Sequence, residues 1–513
     1  MLTRRHVLAL GGAGAAGAFG WRGAVQAQAP GAALLPIPEL IDARDRGAIS
    51  LIAAPRRHAF GPGLPQSATY GYSASFLGPV LRVHAGEPVQ VTIENQLDEV
   101  TTTHWHGLMV PSSQDGGPHE EIRPGGFWRP RLDVAQAECT AWYHAHPHGQ
   151  TGRQVYMGLA GMMIVEDGTG ARLGLPRTYG LDDLPLILQD RLFTAKGELE
   201  FSHFARERIL GTRGDTLIVN GAISPTARVP AGLVRLRLLN AANARNFHLG
   251  FDDARLFHVI ASDGGYLAAP VPMAALTIAP GERFEIVVDF ASGAGAVLGT
   301  TGDPSGDMPG MPGMPGMGSF TSTGPGGAAK SGAGPLVRFE VDPGLPVPAT
   351  RLPEALIALA PPDPAAAVER RRVTLDMWPG MGGKTGGAGG GVGQGGQTGT
   401  PGTGPAMGMN GKRYDMHRID FAPKLGSSEI WEVHPFLMAH PFHVHGAFFR
   451  VLTIGGAAPP AHLAGQKDTV LLGEAAELLV TFTQPATEHR PFMIHCHILD
   501  HEDAGLMGQY VTS

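Results

Sequence analysis

The sequence predicts an all-β protein of three consecutive β-sandwich domains, and three observations carry that reading. Apolar and polar residues alternate at three widely separated places, Val89–Ile93, Val234–Leu238 and Glu429–Val433, the period of a half-buried strand. Each run is followed by a turn and a further segment, Pro124-Gly125-Gly126-Phe127, Pro280 through Ile286, and Gly473 through Phe482, so one unit recurs three times. The 74 Gly and 43 Pro fall mostly between alternating runs, as short strands joined by turns require, and few stretches carry a helical period.

In chain order, the first element lies outside the fold. Residues 1–29 combine Arg4-Arg5, a weakly apolar Gly/Ala-rich stretch and small residues at Ala27 and Ala29, the composition of a twin-arginine export leader. The stretch is too short and glycine-laden for a membrane helix of about 20 apolar residues. A periplasmic or otherwise extracytoplasmic protein, without stable membrane insertion, is expected. Domain one then covers 30–175, domain two 176–345 and domain three 346–513. Two low-complexity insertions interrupt the pattern, one over roughly 301–334 and one over 379–409, and neither can bury enough apolar surface to order itself. In the first, Met308, Met311, Met314 and Met317 recur every third residue, and a polyproline II helix would line their thioethers, soft Cu(I) ligands, along one edge.

A length of 513 residues accommodates several cores. The net charge of -7, with no basic stripe, excludes a nucleic-acid binder and points to small-molecule partners and a monomer. Only Cys139 and Cys496 are present. Cys496 as a metal ligand would leave no intramolecular disulfide, and Cys139 is expected to be a buried small hydrophobe.

Four His-x-His pairs carry the chemistry: His104/His106, His144/His146, His443/His445 and His495/His497, the last flanking Cys496. On a strand successive side chains face opposite ways, so each pair presents two imidazoles together while Cys496 faces away, and one strand can touch two metal sites. Imidazole and thiolate select copper, and a His2Cys set with a weak axial neighbour is the electron-transfer copper pattern, with His440 and His501 as partners for Cys496. The other eight imidazoles exceed the four ligands of one zinc and suit several coppers.

The motifs His104-Trp105-His106-Gly107, His144-Ala145-His146-Pro147-His148-Gly149, His440-Pro441-Phe442-His443-Val444-His445-Gly446 and His495 through His501 resemble those of the multicopper oxidases, bacterial laccases and copper efflux oxidases in particular. The resemblance implies three cupredoxin-like Greek-key sandwiches and four copper ions. It implies a type 1 copper on His440, Cys496 and His501, a type 2 copper on His104 and His443, and a type 3 pair on His106, His144, His146, His445, His495 and His497. The coupled coppers would lie between domains one and three, with domain two as a spacer. Dioxygen would be reduced there, with Asp115 and Glu502 supplying protons.

Two departures from the family bear on potential and substrate. The axial position, ten residues after Cys496, is Leu506, with Met507 one residue later; leucine cannot coordinate, which should raise the potential. Met377 and Met438 match the methionines of the cuprous-ion site of copper efflux oxidases, but Phe436 and the segment after Met377 lack the acids of that site. An apolar rim with Phe436 and Trp378 suits a phenolic or other aromatic reductant better than Cu(I). A cuprous oxidase for copper tolerance is the nearest alternative. A copper-free cell-division protein of the same fold would not need the eleven filled ligand positions, a pure electron carrier would not need the eight additional imidazoles, and a nitrite reductase does not match the His495-Cys496-His497 triple.

Overall fold

The computed structural model describes residues 33–201, 209–302, 332–378 and 406–513. The leader, the Met308–Met317 repeat and most of the Gly-rich insertion fall outside the described residues. The rest is mainly strand, arranged as six sheets in three successive pairs. One feature recurs in all three. Ala48–His58 pairs in parallel with Val89–Asn95, Asp183–Arg191 with Leu233–Asn240, and Ala367–Trp378 with Ser428–Pro435. Each alternating run of the sequence therefore sits in the same place of its own sandwich, and the all-β, cupredoxin-like architecture is the one the sequence predicts.

Burial follows the alternation in the first sandwich, where Val89, Val91 and Ile93 face the core and Gln90 faces water. The middle sandwich departs from it. Leu233–Asn240 is buried on both faces, and Arg235 and Arg237, which period two assigns to solvent, lie in dry protein between sandwiches. They stay charged because each has acids in reach: Arg237 Nε donates to Asp183 Oδ1 at 2.8 Å and its Nη1 to Glu285 Oε1 at 3.0 Å, while Arg235 Nε donates to Glu285 Oε2 at 2.8 Å.

Each sandwich has its own apolar core. A fourth cluster, including Phe60, Phe76, Trp142, Met162, Ile187 and Leu239, joins the first sandwich to the second. The third docks on both: Ser112 N–H donates to Pro485 O at 3.0 Å and Gly264 N–H to Gln466 O at 2.9 Å. Among the described residues no helix is long and apolar enough to cross a membrane.

Candidate metal centres

The two centres grow out of strand alternation. His104–His106 runs antiparallel to Cys139–His144 with His104 opposite His144. In the third sandwich His440–Val444 runs antiparallel to Phe492–Cys496, with His443 opposite His495 and Phe442 opposite Cys496. His443 and His495 therefore share one face, and His440, Phe442 and Cys496 share the other.

On the Cys496 face, the thiol sulfur lies 3.3 Å from His440 Nδ1 and 3.6 Å from His501 Nδ1. Each ring donates its Nε2–H to a main-chain carbonyl, His440 to Phe436 O at 3.1 Å and His501 to Ile209 O at 2.9 Å. That fixes the tautomer and turns both Nδ1 lone pairs towards sulfur. All three side chains are fully buried. Burial holds the imidazolium pKa of His440 down to about 4 and that of His501 to about 3, and pushes the Cys496 thiol up. A cation between them is what would favour the thiolate.

On the opposite face, eight imidazoles from the first and third sandwiches meet in a dry seam. The outward nitrogens are tied down. His104 Nδ1 donates to Asp115 O at 3.1 Å, His144 Nδ1 to Ala145 O at 2.9 Å, His443 Nδ1 to Asp468 O at 2.9 Å and His445 Nδ1 to Asp115 Oδ2 at 2.8 Å. The inward atoms have no such partner: His104 Nε2, His106 Nδ1, His144 Nε2, His443 Nε2 and both His497 nitrogens are buried without a hydrogen bond. His495 Nε2 lies 3.1 Å from His445 Nε2 and 3.3 Å from His146 Nε2. Unmatched buried lone pairs cost free energy, and converging ones repel, so the arrangement fits metal ions as the missing partners. Three-residue ligand sets lie with their donor atoms within 4.8 Å of one another at His146/His445/His495, His104/His106/His144 and His440/Cys496/His501. Burial first, then neighbouring imidazoles, hold His144, His445 and His497 well below the ordinary histidine pKa, which keeps them neutral, the form a metal binds.

Asp115 and Glu502 both border this seam. Asp115 Oδ2 lies 3.2 Å from His104 Nδ1, and Asp115 Oδ1 is unpartnered. Glu502 lies 3.4 Å from His146 Nδ1 and 3.2 Å from His495 Nδ1. Burial alone would push its carboxyl up, but the adjoining His146 and His495 outweigh that and hold it down to about 2.

Leu506 and Met507 separate by face. Met507 pairs with His495, while Cys496 N–H donates to Leu506 O at 3.1 Å. Leu506 thus lies on the Cys496 side, in the same apolar cluster as Cys496, and Met507 on the side of the imidazole seam. Met377 is buried in the third core opposite Met407, Met438 is half-buried against that core, and Phe436 is 51 % exposed. Cys139 is buried and free, accepting from Gln136 Nε2 at 3.2 Å.

Sequence reasoning missed Asp468 and Thr469, which contact the seam from distant positions, and Arg283, which holds Asp468; no local spacing signals them. Through Arg283, which holds Asp468, the middle sandwich borders the seam.

This geometry has counterparts in known proteins. Models of multicopper oxidase domains match residues 58–170, 193–296 and 393–513. The chain is 33 % identical to a multicopper oxidase of Staphylococcus haemolyticus, over 86 % of this chain and 83 % of the relative. It is 34 % identical to the cell division protein FtsP of Xenorhabdus nematophila, over 96 % and 94 %. A solved bacterial laccase-like multicopper oxidase, CueO from the lignin-degrading Ochrobactrum sp., described with oxidase activity towards lignin model compounds and lignosulfonate, superposes with a TM-score of 0.80 at 41 % identity, over 93 % of this chain and 100 % of that one. The three domain matches, the full-length relatives and the copper-suited ligand sets lead to one conclusion, that the chain belongs to the multicopper oxidase family.

Proposed function

We propose that the protein is an exported laccase-like oxidase that takes single electrons from phenolic or similar aromatic reductants and reduces dioxygen to water. The observation that carries this is the His495-Cys496-His497 segment, in which Cys496 belongs to one ligand set and His495 to another, while the His497 ring lies against those of His106, His144 and His443. We assign His440, Cys496 and His501 to a type 1 copper, His104 and His443 to a type 2 copper, and His106, His144, His146, His445, His495 and His497 to a type 3 pair. Copper bound there supplies one-electron chemistry, so that four reductants give up four electrons and, with four protons, one dioxygen becomes two waters. Cys496 and its bonded neighbours connect the two centres through covalent backbone. Glu502 and Asp115, against the imidazoles, relay the protons. At the Cys496 end, exposed Phe436 and half-buried Met438 offer an apolar rim beside His440; an aromatic ring suits it better than a hydrated cation. Export by the twin-arginine route would place the enzyme in the periplasm, where a monomer suffices.

Oxygen uptake by the copper-loaded protein, with a dimethoxyphenol and with Cu(I), tests this reading. Fast phenol turnover without added Cu(II) is expected. Turnover confined to Cu(I), or phenol turnover that needs added copper, would shift the function to copper tolerance and make Met377 and Met438 its substrate site. No uptake with either reductant at full copper loading would favour a role like that named for the cell-division relative.

A further inference from the structure

We propose that Arg283, supplied by the middle sandwich, is a positioning residue for His106 and His443, acting through Asp468. The proposal rests on the oxidase reading above, since it concerns two of the ligands assigned there. Arg283 and Asp468 are both fully buried, and the guanidinium holds the carboxylate as a fork, Nη1 to Oδ1 at 2.7 Å and Nη2 to Oδ2 at 2.6 Å. Asp468 in turn holds two rings from opposite ends of the chain. His106 Nε2 donates to its Oδ1 at 3.1 Å, and His443 Nδ1 donates to its main-chain O at 2.9 Å. The Thr469 hydroxyl lies 3.1 Å from His106 Nε2 and 3.0 Å from His443 Nδ1, and donates to Asp468 Oδ1 at 2.8 Å. With these nitrogens fixed, the two rings stack at 3.7 Å and 11° and turn His106 Nδ1 and His443 Nε2 inward, unpartnered.

Arg283 is itself fixed, so it transmits position rather than merely charge. Its Nε donates to Thr140 O at 3.0 Å, Nη1 to Gly281 O at 2.9 Å, and its backbone N–H to Asp263 Oδ1 at 2.8 Å. Asp263 also accepts from the backbone N–H groups of Asp468 and Thr469, each at 3.3 Å, and pairs with buried Lys467 at 3.0 Å, which reaches Glu282 at 3.2 Å. Three acids and two bases thus face one another in this buried network, which fixes Arg283 from both sides. The chain makes room for the fork: at Gly107, with φ +88, a Cβ would stand 2.4 Å from Arg283 Nη2. The turn before Arg283 itself comes up against the seam, since a Cβ at Gly281, φ +85, would stand 2.7 Å from His497 Cδ2.

Two variants separate position from charge. Arg283→Lys keeps the charge pair but loses the fork, and the double variant Arg283→Met with Asp468→Asn removes both charges. Each is loaded with copper and compared with the unaltered protein by copper content, electron paramagnetic resonance, the thiolate-to-copper absorption of the Cys496 site and thermal unfolding. The expected result is a folded protein with unchanged thiolate absorption, an altered resonance from the copper assigned to His104 and His443, and copper bound there about 10- to 100-fold more weakly. An unaltered resonance and unaltered copper affinity in both folded variants would overturn the proposal. Failure of Arg283→Lys to reach the folded state would overturn it too, by making Arg283 a general structural residue. Absence of copper binding by the unaltered protein would sink the oxidase reading instead.

Discussion

Each copper-suited side chain owes its role to what holds its second polar atom. His440 and His501 direct Nδ1 at Cys496 because main-chain carbonyls take their Nε2–H groups, and this is invisible in a sequence motif. Leu506 on the Cys496 face leaves that site without an axial sulfur, so a Leu506→Met variant should have a lower type 1 reduction potential, followed by redox titration of the thiolate-to-copper absorption; an unchanged potential would remove Leu506 as the axial neighbour. Glu502 sits against His146 and His495, so Glu502→Gln should slow steady-state oxygen uptake by roughly 10²- to 10⁴-fold, the usual contribution of a positioned proton donor. Anaerobic bleaching of the Cys496 site by a phenol should stay fast in that variant, because electron entry does not use the carboxyl. The four His-x-His pairs, whose rings meet in the seam, were legible because that spacing is local. Asp468 was not, since its bond to His106 spans 362 positions, and Arg283 reaches it across 185.

Strand alternation is the device that makes two metal centres from one segment, and it was readable from the sequence at Phe492–Cys496. It misled at Leu233–Asn240, where the polar positions Arg235 and Arg237 are buried rather than solvated. Period two reports which side chains share a face. It cannot report whether a second sandwich covers that face. The consequence is testable on this strand: Arg237→Met would strip Asp183 of its bidentate partner and leave Glu285 with Arg235 and the Thr140 hydroxyl. The expected cost is about 3–5 kcal/mol of stability in urea unfolding, the range for breaking one side of a buried ion pair. A loss under about 1 kcal/mol would mean that water reaches these acids.

Three repeated sandwiches were legible from three separated runs with turns between them, whereas their docking was not, because the surfaces that meet are ordinary core residues such as Phe60, Trp142 and Leu239. Docking buries the imidazoles, and that sets a pH dependence for the copper-free protein. The folded pKa of His440 and His443 is about 4 and that of His501 about 3, below the value of about 6.5 in an unfolded chain. The unfolded state therefore takes up more protons as pH falls, and stability, complete above about pH 6.5, declines towards about pH 4. Thermal unfolding of copper-free protein across that range should show a falling midpoint, and copper loading should raise the midpoint most at the high-pH end, because protons compete with the bound metal for the same nitrogens as pH falls. A pH-independent midpoint without copper would mean that these rings are hydrated.

The imidazole seam also has a meaning for how the molecule is made. His146 and His495 meet across 349 positions, so the ligand set they form with His445 cannot close before both ends of the chain are made, whereas His104/His106/His144 and His440/Cys496/His501 each lie within one sandwich. A truncated chain that lacks the third sandwich lacks His445 and His495, and so lacks the set that closes with His146. Copper held by that set would act as a clasp, tying the two ends of the polypeptide together and slowing their parting.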